Sequence, residues 1–274
     1  MNSLLSSKAC DITGVVVIAC ARHGCYAPNS LVDLFKGEQQ KNVDFAFLNA
    51  LKSTNVSSEQ GTLLIYDIAC QYFVHIHDRI GNALPRGLEI DSAIGLFHVH
   101  AHKDECLFRY ATSFIPGAGI VAGEILESLW SSLNSISPTA RTATLAHWAE
   151  MLDDHATDSN HKKLLGMVPS LCGKYQTAVD IEESARLYYG NLTTQAGTTA
   201  VAKWTHDIES AEKGRSLNLA LMDIYSAKSD QLPSAIPQTS DRAAGSAKDR
   251  WIHMALSVEY KQYVNNLQND ITAE

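Results

Sequence analysis

The sequence runs to 274 residues, 45% hydrophobic and 19% charged, enough chain for one large domain or two small ones with a proper core. Acidic residues outnumber basic ones 30 to 22, for a net charge of −8, and the longest basic run is Lys162-Lys163, a balance that argues against a strong grip on DNA phosphates by this chain alone. No apolar run nears the roughly 20 residues that cross a bilayer. The start, MNSLLSSKACDITG, lacks the build of a secretion signal, and six irregularly spaced cysteines fit reduced thiols or metal ligands in an intracellular protein.

In chain order, Gly14 to Ala19 (GVVVIA) reads as a buried strand because it is continuous in β-branched residues. It runs into CARHG at 20–24, where the glycine marks a turn, and Pro28-Asn29 marks another. Val43, Phe47, Leu48 and Leu51 recur with a helical period. Thr62 to Asp67 (TLLIYD) is a short apolar run ending in a carboxylate: a buried strand, or a helix segment of the same length. A helix over about Ala69–Arg79 follows, closed by Pro85 and Gly87, and Ile94–Val99 is expected to be a third strand. After Gly117, Gly119 and Gly123, a helix carries the stripe Ile125, Leu126, Leu129, Trp130 and Leu133. Beyond residue 140 the expected elements are helices at Leu164–Tyr175, Ile181–Tyr189, Val201–Ala211 and Leu217–Ala227. A turn-rich linker over 230–249 precedes a last helix carrying Trp251, Met254, Val258 and Tyr260. Strand and helix alternate first and helices follow, which describes an α/β layer architecture over 10–140 with a helical extension over 141–274.

Two constellations can carry chemistry. Asp67 ends a strand and Glu124 opens a helix, with Glu127 three residues on. Acidic oxygens on rigid elements are what divalent-cation phosphodiester chemistry requires. The plain alternatives are that Asp67 caps the next helix and that Glu124 and Glu127 complement a helix dipole. The second constellation is His98, His100, His102 and Cys106, with Cys70 as a further ligand just past Asp67. If the segment is helical, His98, His102 and Cys106 fall on one side; if it starts as a strand, the alternate histidines share a face instead. Either set reads as zinc ligands or as packed, hydrogen-bonded side chains. Cys20-x-x-His23 also has ligand-like spacing, but so short a pattern recurs by chance. No nucleophile elbow is present to support a Ser or Cys hydrolase.

The segments CARHG (20–24), VDLFKGE (32–38), NVD (42–44), YDIACQ (66–71), FHVHAHKDEC (97–106), GEILESLW (123–130) and LDDH (152–155), with Asn160 and Lys163 beyond, occur in that order. This succession resembles the Kyakuja–Dileera–Zisupton (KDZ) transposases, abundant in fungal genomes, over about residues 10 to 260. The resemblance implies an incomplete ribonuclease H-like core with an α-helical carboxy-terminal extension. In that family an Asp-Asp-Glu triad holds Mg²⁺ or Mn²⁺ and cuts and joins DNA strands, in the nucleus. By resemblance Asp67 is the second triad aspartate and Glu124 the glutamate, with Glu127 in reserve. Cys70, His98, His102 and Cys106 match family positions, and His100 does not.

The departures from the family pattern shape the expectation. The strand bearing the first aspartate, the DNA-reading module and the cysteine-rich module have no counterpart here. Ser128 replaces a usual arginine, and HWAEM (147–151) reads as an insertion or a misjoined exon. The expectation is therefore a truncated or decayed transposase whose strand cleavage is absent or very weak, with little DNA binding of its own. The lost strand would leave its neighbours with unpaired edges. The alternatives are a zinc-stabilised, non-catalytic domain that binds protein or self-associates, and a zinc hydrolase built on His98, His100 and His102.

Overall fold

A run of β-branched residues and a glycine turn build the first sheet. Strand β1 (Gly14–Val16) pairs antiparallel with β2 (Val32–Leu34), Gly14 opposite Leu34 and Val16 opposite Val32. An isolated bridge between Ala19 and Tyr26 continues the pairing past the CARHG turn. The computed structural model describes residues 11–119 and 121–226, and the compact unit they occupy extends to Tyr225.

Helix α1 (Gln40–Ser53) buries Val43, Asp44, Ala46, Phe47, Ala50 and Leu51, a stripe at three- and four-residue spacing. That stripe packs on Leu64 of β3 (Thr62–Ile65) and on Tyr72, Ile76, Ile80 and Leu88. Strand β3 pairs in parallel with β4 (Ile90–Ala93), Thr62 opposite Ile90 and Ile65 opposite Ala93. The two pairs form separate two-stranded sheets. Mixed α/β structure is thus present, with helices predominating.

The segment after β3 is not one helix. It divides into α2 (Ala69–Tyr72), a 3-10 turn (Phe73–His75) and α3 (Ile76–Ile80). The backbone turns at His75 (φ −125°, ψ 22°), and Tyr72 and Ile76 both lie fully buried on either side of it. Asp44 of α1 fastens this segment. It accepts from the Tyr72 hydroxyl (2.6 Å) and from the Arg79 Nε (2.8 Å), and the Arg79 guanidinium lies 4.6 Å from the Tyr72 ring centre.

The third strand lies earlier than the sequence suggests. Asp91 and Ser92 interrupt the apolar pattern of LEIDSA, yet Ile90–Ala93 is β4, and Leu96–Val99 is a single helical turn, α4. The strand ends at Ala93, and at Gly95 the chain passes directly against the Glu124 carboxylate, where no side chain has room. Helix α5 (Asp104–Tyr110) follows, then α6 (Ile125–Leu133) and a short α7 (Ser137–Ala140).

Three long helices complete the described chain: α8 (Leu145–Leu165), α9 (Met167–Ala196) and α10 (Thr198–Gly214). The expected breaks within α9 do not occur, and Leu219–Tyr225 is a 3-10 segment. HWAEM lies within α8 without interrupting it, and the Trp148 indole donates to Asp33 of β2 (2.9 Å). Trp148, Leu152, Tyr26 and Asn160 line a cleft of about 350 Å³. The linker at 230–249 and the last expected helix lie outside the described residues. Among the described residues no helix is long and apolar enough to cross a membrane.

Candidate metal centres at the end of β3

Asp67 stands two residues past β3, and α2 begins with Ile68 as its cap, without any side-chain cap bond. The capping role is therefore not what Asp67 performs. Glu124 occupies the cap position of α6, but its carboxylate turns away from its own helix: Oε1 accepts from the Phe97 N–H at 3.0 Å. One carboxylate oxygen is thereby fixed, and Oε2 faces the His98 imidazole.

Two glycines make this approach possible. A Cβ on Gly95 would run into the Glu124 carboxylate, and one on Gly123 would meet Gly95 Cα at 2.9 Å and Ile65 Cγ2 at 3.0 Å. Gly123 also has φ +84°, a conformation that side chains rarely adopt. The loop before α6 and the turn after β4 thus pass at backbone contact.

His98 Nε2 lies at the centre of the cluster, 3.4 Å from Glu124 Oε2, 3.7 Å from Asp67 Oδ2 and 3.9 Å from Glu127 Oε1. Segments far apart in sequence meet here: the end of β3, the turn α4 and the head of α6. Burial pushes the Asp67 carboxyl above its ordinary range; His98 opposes the shift, and the negative charges of Glu124, Glu127 and Glu38 add to it. A divalent cation would relieve that crowding, and the oxygen donors suit one.

A second cluster begins three residues past Asp67 and four past His98. Cys70, His102 and Cys106 bring one ligand atom each within 4.8 Å of one another. Cys70 Sγ and His102 Nδ1 are 3.4 Å apart, close to the ~3.5 Å between sulfur and nitrogen ligands around tetrahedral zinc. Cys106 is 7% exposed, and burial, with Cys70 beside it, pushes its thiol up. The donor set suits zinc.

His98 does not join this cluster, contrary to the helical-face expectation. The helix is not continuous: α4 ends at Val99, and residues 100–103 turn before α5 starts. His98 is thereby sent toward the carboxylates and His102 toward the thiols, while His100 is exposed. The three histidines do not converge, which removes the basis for a His98/His100/His102 hydrolase.

Sequence reasoning missed Glu38, whose carboxylate accepts from the Tyr66 hydroxyl at 2.6 Å beside Asp67. It also missed the Phe97 N–H and the fit of Gly95, for which only the glycines flanking the site gave a signal. Cys20 Sγ and His23 Nδ1 lie 3.3 Å apart at the exposed CARHG turn. The Arg22 guanidinium donates from that turn to the Ala118 carbonyl (2.9 Å), in the loop that leads to Glu124.

With this geometry in view, comparison with known proteins is decisive at one level. The family model of the Kyakuja-Dileera-Zisupton transposase matches residues 2–160. The chain belongs to this family. The matched span carries both clusters of this KDZ chain, together with Asn160, whose side-chain amide clasps the Tyr26 backbone by bonds of 2.7 and 2.9 Å. No curated protein and no solved structure matches it.

Proposed function

We propose that residues 10–140 are an incomplete ribonuclease H-like core of the Asp-Asp-Glu type and that 141–274 form its helical extension. The observation that carries this reading is the meeting of Asp67, Glu124 and Glu127 around His98 from segments distant in sequence. Supporting it, the described residues hold an antiparallel and a parallel strand pair beside helices, the mixed elements such a core is built from.

A Mg²⁺ or Mn²⁺ ion at these carboxylates would supply Lewis-acid polarisation of a phosphodiester and a more acidic bound water. Asp67 and Glu124 Oε2 are the donors, and the Phe97 N–H holds Glu124 so that one oxygen stays directed at the site. Zinc at Cys70, His102 and Cys106 would have a structural role, tying α2 to the turn before α5.

Strand cleavage by this chain alone is read as absent or very weak. Among the described residues the acid borne on the other sheet, Asp33, is engaged by Trp148 instead of facing the cluster. The bound partner of the family's activity is DNA, and the acidic balance of this chain makes its own contribution to DNA binding small. The test is nicking of supercoiled plasmid with Mg²⁺ or Mn²⁺. The expected result is no cleavage above that of Asp67→Ala; metal-dependent nicking that Asp67→Ala abolishes would show an active enzyme.

One observation favours a second reading, a zinc-stabilised domain that associates with protein. Val168, Leu171, Tyr175 and Val179 recur along α9 at three- and four-residue spacing, yet all are exposed, and α9 buries none of its residues. Under this reading, sedimentation velocity finds a dimer that the pair Leu171→Glu and Tyr175→Glu dissociates. A monomer in both cases speaks against self-association.

A further inference from the structure

The position of His98 calls for an explanation that neither cluster's family resemblance supplies. Its Nε2 faces three carboxylate oxygens at 3.4, 3.7 and 3.9 Å. These separations exceed the roughly 2.7–2.9 Å of a charge-assisted N–H···O bond. Two donors bound to one ion at about 2.1–2.2 Å stand about 3.0–3.6 Å apart, depending on the coordination angle. The His98–Glu124 separation falls in that range. The ligand atoms of His98, Glu124 and Glu127 lie within 4.8 Å of one another, and Asp67, 3.7 Å from His98 with a side chain 59% exposed, is free to close onto the same point by a side-chain movement.

We propose that His98 is a ligand of the same cation as Asp67 and Glu124, which makes the centre a mixed nitrogen–oxygen site. The inference rests on the carboxylate-cation reading above. It assigns the cation class: imidazole suits first-row transition ions, whereas Mg²⁺ prefers an all-oxygen shell. The site therefore takes Mn²⁺ in preference to Mg²⁺. It also separates the two centres by chemistry, since the thiols of Cys70 and Cys106 select a softer ion than the carboxylates do. Binding through Nε2 requires the neutral ring with its proton on Nδ1.

The experiment uses the full chain, zinc-supplemented so that Mn²⁺ reports the carboxylate site. Mn²⁺ affinity is measured by electron paramagnetic resonance, and pulsed spectra are searched for nitrogen coupling to the bound ion. The expected result is one Mn²⁺ with an imidazole nitrogen coupling in the wild type, displaced only by a large excess of Mg²⁺. In His98→Ala the coupling disappears and affinity falls at least about tenfold, a loss that even outer partners of a metal can cause. The wild-type nitrogen signal decides the matter even if that variant folds poorly. Mn²⁺ bound without nitrogen coupling, equally well in His98→Ala but not in Asp67→Ala, overturns the role of His98 and leaves the carboxylate site standing. Coupling that persists in His98→Ala also overturns it. No Mn²⁺ binding by any of these proteins overturns the carboxylate reading, and the proposal with it.

Discussion

At the scale of single residues, the carboxylate centre depends on an absent side chain as much as on those present. Gly95 has an ordinary backbone conformation (φ −57°, ψ 145°), so alanine there meets no backbone strain, only the Glu124 carboxylate. Gly95→Ala is expected to displace Glu124 from the Phe97 N–H and lower Mn²⁺ affinity at least about tenfold. Thermal unfolding followed by circular dichroism is expected to move little, because the displaced hydrogen bond belongs to the site and not to the core. A fall in stability with unchanged Mn²⁺ affinity would place Gly95 in packing alone. At the thiols, mass spectrometry under native conditions is expected to find one zinc per chain. Asp67→Ala should keep it, and Cys106→Ala or Cys70→Ala should lose it.

The acids themselves were legible at this scale: a carboxylate just past a buried apolar run, and a glutamate after spaced glycines. What the sequence could not carry was the direction of His98. Ligand spacing counts residues along an assumed continuous helix, and the turn at 100–103 cancels that count. Glu38 was invisible for a different reason, since its approach to Tyr66 depends on how the two sheets face each other.

At the scale of elements, α1 is held to the segment after β3 by a buried charge. Asp44 is 7% exposed and bonds to both Tyr72 and Arg79. Removing one partner of such a pair strands the other, so Asp44→Ala is expected to cost about 3–5 kcal/mol in chemical denaturation. A cost under about 1 kcal/mol, the level of an exposed pair, would contradict it. The 3-10 segment Leu219–Tyr225 is held differently, by Asp223 against the Arg109 guanidinium on α5. That pairing keeps the Asp223 carboxyl below its ordinary range. A carboxylate depressed in the folded state contributes stability fully above its unfolded value, about 3.9, and loses it as pH falls through the folded value. Amide hydrogen exchange over Leu219–Tyr225 is therefore expected to accelerate as pH falls below about 4, relative to the core of α1. Asp223→Asn should be fast already at neutral pH.

The helical stripes of α1 and α6 could be read directly, because each buries one face on a core and keeps its period. Strand β4 could not. Its residues Asp91 and Ser92 break an apolar run, and its burial comes from β3 on one edge and from Arg215, which donates to the Ser92 and Arg109 carbonyls. Such a strand is fixed by partners distant in sequence, Arg215 lying 123 residues from Ser92, which no local window contains.

At the scale of the whole molecule, the alternation of strand and helix gave the α/β class, and the family match places the chain among KDZ transposases. The extension was only partly legible. Of four expected helical stretches, the first two merge into α9, since polar interruptions in an exposed helix cost little; the third is α10, the fourth is the 3-10 segment Leu219–Tyr225, and α8 was not foreseen. The extension is stitched to the core through Asn160 on Tyr26, Lys174 on the Arg22 carbonyl and Arg215 on β4. It thereby buttresses the CARHG turn, which packs against Ile125 beside Glu124. The carboxylate cluster thus rests, through Ile125 and the CARHG turn, on contacts made well beyond the segments that carry it.

The most direct measurement is anomalous diffraction from crystals of the chain soaked in Mn²⁺. The account predicts a single strong manganese peak within bonding distance of Asp67 and Glu124, with His98 as a third donor. Manganese found only at Cys70, His102 and Cys106, or nowhere near the end of β3, would contradict it.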